Sequence, residues 1–541
     1  MTRQASIRPY LNQAYLLGLM MMAVGLTLSP FLMGMANFWL VLVWIVDAVV
    51  PARHCGLDLQ SPKGRGFKSK FSRFWHNKAA VLLVAFYLMH VVGLLWTTDF
   101  QYALKDLRVK LPILVLPLIL SGMEPLDRKR FHLVMLVYVL STFVATVFSS
   151  ISYWRHDYED VREISHFISH IRFCLNIVFC IAVICWYIVK SKVTINRFLL
   201  FFLLLWFIYQ IYIFESLSGY VILAAVAVVT LVCALLRWRK GKVWAVAIGI
   251  MAAVAVLSGV VVLQQAVKPL LNVEPVDFST LERKTAQGNT YWHDTVYNPV
   301  EDGKFVGLYY CKTEMQEAWS ERSTMPFEGT TTNGESLEAT LARYLTSKDL
   351  RKDAEGVKAL TDEDIHNIEQ GVANYNNWKH PGLRARLSST LFEYNLYRRF
   401  NNPNGGSLSQ RIEFTRASLH LIGQHPWFGV GTGDVPQAFN RAYDELHSPL
   451  SDEHRFRAHN QYLAIAVAFG LVGLAFFLFV LLCPWCACRK RRTYLYTVFL
   501  VIMMLSMLAE DTLETQAGAS LFAFFEALLL FAYPVDNETR K

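Results

Sequence analysis

Long apolar runs recur along this chain, and each must find a solvent other than water. A helix of about 20 apolar residues spans the roughly 30 Å hydrocarbon core of a bilayer. Inside that core every backbone N–H and C=O must be paired within the chain, so only helices and closed barrels can cross it. The 541 residues are 54% hydrophobic and 18% charged, with a mean hydropathy of +0.30. Ordinary globular domains carry about 25% charge. Run length and periodicity give about twelve spans, near 13–33, 35–50, 79–97, 109–122, 131–150, 170–189, 196–213, 217–236, 243–263, 460–486, 493–509 and 517–534. The fourth is short and carries Pro112 and Pro117. No small-residue cleavage site follows the first run, and a second span comes at once, so it does not read as a cleavable signal. The expected fold class is an all-α polytopic membrane protein of about 12 transmembrane helices.

Charge then orients the spans. Short loops rich in Lys and Arg stay in the cytoplasm. The connection after span two carries Arg53, Lys63, Arg65, Lys68, Lys70 and Arg73, and that after span four Arg128, Lys129 and Arg130. Lys190, Lys192 and Arg197 follow span six, Arg237, Arg239, Lys240 and Lys242 span eight, and Arg489, Lys490, Arg491 and Arg492 span ten. Every even-numbered connection is basic. Both termini are therefore expected in the cytoplasm and every odd-numbered connection outside. The net charge of +9 follows from this topology. It forms no basic patch interleaved with aromatics, so neither nucleic acid nor nucleotide is an expected partner.

The chain divides accordingly into a membrane domain, 1–263, a large outer segment between spans nine and ten, 264–458, and a second membrane domain, 459–541. The outer segment is mildly acidic, and Cys311 is its one cysteine, so no disulfide staples it. Helices are expected over 337–344, 361–374, 391–400 and 408–422. The third of these precedes an Asn402-Pro403-Asn404-Gly405-Gly406 turn. Thr361-Asp362-Glu363-Asp364 reads as a capping box and Gly423 as a helix stop. The glycine-rich stretch Gly429 to Gly433 lacks the Lys-Ser/Thr ending of a nucleotide loop, and a tight re-entry turn explains it. Cys483-Pro484-Trp485-Cys486-Ala487-Cys488 has no partner pair nearby and reads as small residues at a helix end.

At the outer lip of span ten stands Arg457-Ala458-His459-Asn460-Gln461-Tyr462-Leu463, followed nine residues after Asn460 by Gly470-Leu471-Val472-Gly473. This resembles the His-Asn-x9-Gly-x-x-Gly signature of the O-antigen ligase/polymerase superfamily. Upstream, Arg411-Ile412-Glu413-Phe414-Thr415-Arg416 and then His425-Pro426-Trp427-Phe428-Gly429-Val430-Gly431-Thr432-Gly433-Asp434 is similar to the block that precedes it there. Leu474 stands where many ligases have Thr, and Thr415 where an aromatic is common. Segments 165–173 and 510–516 look like the variant found in Bacteroides-type bacteria. A single large loop between spans nine and ten is more similar to the ligases than to the polymerases.

The resemblance implies a GT-C-like inverting glycosyltransferase with a large, mostly helical periplasmic domain, in the inner membrane of a bacterium. Its donor would be an undecaprenyl-diphosphate-linked glycan and its acceptor lipid A-core, among membrane lipids. It implies no cofactor and no metal. A polymerase or a protein O-oligosaccharyltransferase shares the signature, and a lipid-linked glycan flippase is the non-enzyme alternative. Such chemistry needs cations for a diphosphate, and arginine forks onto phosphate oxygens. Arg172, Arg411 and Arg457 are the candidates, with His170 beside them and Arg416 and Lys110 further off. His459 either handles the acceptor's proton or bonds the diphosphate. Glu510, Asp511 and Glu514 are placed to orient His459 or accept the hydroxyl proton. Asn460 reads as the cap of its helix, with Gly470 and Gly473 as signature positions.

Overall fold

The computed structural model describes residues 7–49, 66–155, 161–190, 194–236, 268, 273, 275–380, 383–404, 406–487 and 492–533. Among these, eight helices are long and apolar enough to cross a membrane: Pro9–Leu28, Pro30–Val49, Lys78–Trp96, Arg128–Arg155, His170–Val189, Asn196–Ile213, Leu217–Leu235 and Gln461–Cys486. Tyr494–Ala509 and Gln516–Ala532 are shorter apolar helices. With Phe100–Gly122 these occupy eleven of the twelve expected positions. The other expected span, 243–263, lies outside the described residues. The protein is an all-α multi-pass membrane protein; a two-residue hairpin, Val300–Glu301 against Lys304–Phe305, is the small exception.

Two expected spans differ from their sequence reading. The fourth starts at Phe100, not near 109, because Asp99 caps it by accepting from Tyr102 N at 2.9 Å. Its extra turns carry Asp106, which is buried one turn before the buried Lys110. The tenth, expected as one continuous helix, is broken at Gly470, whose φ of 66° and ψ of −168° fall in a region open essentially only to glycine. The stretch 426–431 fills the break. Leu471 N donates to the Pro426 carbonyl at 2.8 Å, Val430 N to Val467 at 3.0 Å and Gly431 N to Ala468 at 2.9 Å. The groups freed by the break are thus paired by another segment, which irregular backbone at membrane depth requires. Closeness is possible because both partners are glycines. A Cβ on Gly470 would lie 2.3 Å from the Trp427 carbonyl oxygen, and one on Gly429 would lie 2.4 Å from that of Val467.

The same loop also grips the end of the third span. Asp434 Oδ1 accepts from Thr98 N at 3.0 Å and Asp99 N at 2.8 Å, and Thr432 donates to the His90 carbonyl at 2.6 Å. The compact unit built this way comprises Met1–Ile248, Phe414–Leu446 and Phe456–Lys541. Phe414–Leu446 therefore packs with the membrane helices, although the sequence reading groups it with the outer segment. The helix Ser407–Gln424 runs one residue past Gly423, so that glycine does not stop it. Pro426, which has no N–H to donate, is what prevents continuation.

The second unit comprises Gly249–Glu413 and His447–Arg455. Short helices, among them Lys312–Ser320, Leu337–Ser347 and Asp362–Glu369, enclose a core of Trp319, Leu341, Tyr344, Leu345, Val357 and Ile368. The expected capping box is present: Asp364 N donates to Thr361 Oγ1 and Thr361 N donates to Asp364. The helix ends at Glu369, short of the expected 374, and Gly371, whose φ is +87°, follows its end; a separate turn of helix, Tyr375–Lys379, comes after it.

Two outcomes follow from these contacts. Gly470→Ala should lower stability by about 3 kcal/mol or more, since it combines a glycine-only backbone with overlap; a detergent-solution melt matching the unsubstituted protein would contradict this. Burial alone would raise the Asp364 carboxyl. Lys348, the Thr361 N–H and the Tyr344 hydroxyl outweigh burial and hold it at about 2. The folded value lies below the unfolded one, about 3.9. The ionised carboxylate therefore stabilises this unit above pH ~4, and the contribution is lost as pH falls towards about 2. Asp364→Asn should cost roughly 1–2 kcal/mol near neutrality, read by hydrogen exchange over Asp362–Glu369. The difference should close at pH ~2–3.

Candidate active site

Four chain segments meet at one end of the membrane unit. They are Phe456–Asn460 before the broken span, the 510–515 turn between the last two helices, the start of Phe100–Gly122 and the start of His170–Lys190. In the sequence topology all four belong to odd-numbered connections.

His459 stands at the centre. Its φ is +44°, the left-handed region that a non-glycine residue enters at a cost of order 1 kcal/mol. This turn breaks the extended approach 455–458 and lets Asn460 start the helix. Asn460 Oδ1 accepts from Leu463 N at 3.1 Å, and its Nδ2 donates to the Leu508 carbonyl at 2.9 Å. One residue thus caps one helix and ties down the end of the next. The His459 ring packs on Phe414 (centroids 5.4 Å apart) and Phe456 (6.2 Å). Its side chain remains one-third exposed, at 34%.

His459 Nδ1 lies 3.8 Å from Glu510 Oε2 and 3.9 Å from Asp511 Oδ1, and makes no hydrogen bond with the described residues. Two carboxylates on one side of the ring favour the tautomer with the proton on Nδ1, leaving Nε2 as the basic nitrogen. Donor atoms of His459, Glu510 and Asp511 all lie within 4.8 Å of one another, so among the described residues these three could hold a metal ion. A cation of the chain already serves that charge: Arg457 Nη2 is 3.2 Å from Asp511 Oδ2. Burial raises the Asp511 carboxyl above its ordinary value, and Arg457 opposes the rise only in part.

Behind this layer is a second one. Arg457 Nη1 is 3.3 Å from Glu514 Oε2 and donates to the Tyr102 hydroxyl at 3.2 Å. Glu514 also takes Lys110 Nζ at 2.7 Å and accepts from Gln461 Nε2 at 3.1 Å. Lys110 Nζ is 2.5 Å from Asp106. Burial would raise the Glu514 carboxyl, but the Lys110 and Arg457 cations reverse this and hold it below the usual carboxylate range. Burial opposes the Arg457 charge, yet Glu514 and Asp511 outweigh it, so that guanidinium stays protonated. A small cavity adjoins these groups, lined by His90, Tyr102, Asp106, Lys110, Arg457 and Glu514 among others.

The other expected site residues fall as follows. Arg172 is in the first turn of its helix. Its Nη1 donates to Ser169 Oγ at 2.8 Å, its buried Nε has no hydrogen-bond partner among the described residues, and Glu510, Asp511 and Arg457 are near enough to act on it electrostatically. His170 Nε2 donates to the Phe214 carbonyl at 2.7 Å and packs on the Phe214 ring, tying two helix ends together. Arg411 belongs to the second unit. Arg416 is on an exposed helix face. Lys110, read from sequence as a cation for the diphosphate, is 2% exposed, and its charge is met within the protein by two carboxylates. Gly473 continues the broken span beyond Gly470.

Sequence reasoning missed Asp106, Tyr102 and Phe414 as parts of this site. Asp106 and Lys110 are four residues apart, a helical pairing next to an apolar run where charge is costly, and that was the available signal. Nothing in the sequence indicated Phe414 beneath the histidine.

No curated protein matches the chain closely enough to count as a relative. Residues 379–478, which contain Phe414, the bracing loop, His459 and the break at Gly470, match the family model described as O-Antigen ligase. Over this segment the chain is similar to the O-antigen ligase superfamily, in agreement with the motifs at 411–434 and 457–473.

Proposed function

We propose that this protein is an inverting glycosyltransferase that moves a glycan from undecaprenyl diphosphate to a hydroxyl of lipid A-core, on the periplasmic face of the inner membrane. The observation that carries the reading is the meeting of His459 and Arg457, which lie in the segment matched by the family model, with Glu510, Asp511 and Arg172 at one end of the membrane unit. The basic even-numbered connections support a position for that end outside the cytoplasm, away from nucleotides. A lipid-linked diphosphate supplies its own leaving group there.

The reaction divides into three tasks. The diphosphate needs cations that stay charged at a membrane surface. Arg172, whose buried Nε bonds none of the described residues, is suited to this. The acceptor hydroxyl needs a base. His459 Nε2 takes the hydroxyl proton while the Nδ1–H faces Glu510 and Asp511, which stabilise the imidazolium as it forms. The acceptor oxygen then bonds to the anomeric carbon from the face opposite the phosphate. The carbon–oxygen bond to phosphate breaks, its electron pair leaves on undecaprenyl diphosphate, and the configuration inverts. His459 returns its proton to solvent or to the departing diphosphate.

Purified protein with labelled lipid-linked glycan and lipid A-core tests this directly. His459→Ala should slow transfer by about 10²–10⁴-fold, and Arg172→Ala by roughly 10²-fold. Transfer at the unsubstituted rate in both would overturn these roles. His459→Asn should keep the left-handed turn, since Asn enters that region readily. Its melting temperature should therefore stay within about 3 °C of the parent while activity falls as in the alanine variant. A polymerase would instead lengthen the lipid-linked glycan without lipid A-core, and a protein transferase would require a polypeptide hydroxyl.

A further inference from the structure

We propose that Lys110 is a positioning residue for the transfer reaction, acting through Glu514 to hold Arg457, and through Arg457 the Asp511 carboxylate beside His459. This rests on the functional reading above and adds a second, buried layer to it. The chain of contacts is continuous: Asp106 to Lys110 at 2.5 Å, Lys110 to Glu514 at 2.7 Å, Glu514 to Arg457 at 3.3 Å, Arg457 to Asp511 at 3.2 Å, and Asp511 to His459 at 3.9 Å.

Three features mark this as more than a structural ion pair. First, Glu514 Oε2 is shared between Lys110 and Arg457, so the ammonium sets how strongly the carboxylate draws the guanidinium inward. Without Lys110, Asp106 would lose its cation and Glu514 would keep only Arg457, which would be pulled towards them and off Asp511. Second, the layer is held from both sides by neutral groups that fix its geometry. Gln461 donates to Glu514 Oε1 while its own oxygen accepts from Leu513 N at 2.7 Å, and the Tyr102 hydroxyl accepts from Arg457. Gln461 directly follows Asn460, so the start of the broken span and the acidic turn share one register. Third, a small cavity of about one water's size adjoins Arg457 among His90, Tyr102, Lys110 and Glu514, so a short inward shift of the guanidinium meets open space. The His90 Nδ1 sits 3.0 Å from the Phe86 carbonyl and must donate to it, so the unpartnered Nε2 offers only an acceptor. An arginine released from Asp511 would find acceptors inward as well as outward. Its outward position therefore depends on the charge balance at Glu514.

A positioning role separates from a binding role in kinetics. Lys110→Met should lower kcat by about tenfold with KM within about twofold, because the reacting groups shift while the diphosphate contacts stay. Lys110→Arg should restore kcat to within about threefold. Lys110→Met should add little to Glu514→Gln, since both act through one carboxylate. Tyr102→Phe, an isosteric change that should not impair folding, should lower kcat about threefold by loosening Arg457. A structure of Lys110→Met, or of Tyr102→Phe if the former does not fold, should show the Arg457 guanidinium withdrawn from Asp511.

An unshifted Arg457, a kcat equal to the parent's, or losses that add fully to those of Glu514→Gln would overturn the proposal. The functional reading fails differently: His459→Ala would then transfer glycan at the parent's rate. The position of Arg457 in the variant structures still decides the positioning claim in that case.

Discussion

A helix crossing a membrane can be interrupted only if some other segment takes up the hydrogen bonds it gives away. That constraint organises this protein. The span that begins at Gln461 breaks at Gly470, and the backbone of 426–431 pairs with both sides of the break. The loop is possible because Gly429 and Gly470 let two backbones touch. Once seated, it locks onto the end of the third span through Thr432 and Asp434. Its flanking helix brings Phe414 under His459. The two blocks of the family motif, separated in sequence, are thus one structural device: the glycines of each exist for the other.

The site above that brace is a balance of buried and half-buried charges. Glu510 and Asp511 face the histidine, whereas Glu514, three residues on, turns inward to Lys110 and Arg457. Carboxylates this close would repel one another in a poorly solvated place. Arg457 bridges the two layers and Arg172 lies within electrostatic reach of the outer one. An active site for an anionic lipid-borne donor needs such provision. Its cations must be numerous enough to hold a diphosphate, yet anchored so that they do not collapse onto their own acids.

Much of this was legible in the residues. Hydropathy and the alternation of basic loops gave the order of spans, because the cost of burying charge in hydrocarbon is large and local. The capping roles of Asn460 and Thr361 were readable because they depend on neighbours within four residues. The motif singled out His459, and the acidic turn beside it was visible as a cluster. The reading stopped where long-range packing decides. A glycine in an apolar run looks like any other small residue, so the break at Gly470 was read as continuous helix. Lys110 looked like one more cation for phosphate until Asp106 and Glu514 closed on it from two sides. His170 looked like a ligand to anions, yet its ring bonds the Phe214 carbonyl. Each of these depends at least in part on residues more than 35 positions away.

The central claim is that the end of the membrane unit carrying His459 transfers a completed glycan from a lipid-linked diphosphate to lipid A-core. The most direct measurement is the glycan profile of a strain lacking this protein, read on both lipopolysaccharide and lipid-linked intermediates. The account expects lipopolysaccharide without long glycan and a build-up of long lipid-linked polymer, reversed by the intact gene and not by its His459→Ala form. Normal long-chain lipopolysaccharide in the deletion strain would contradict it.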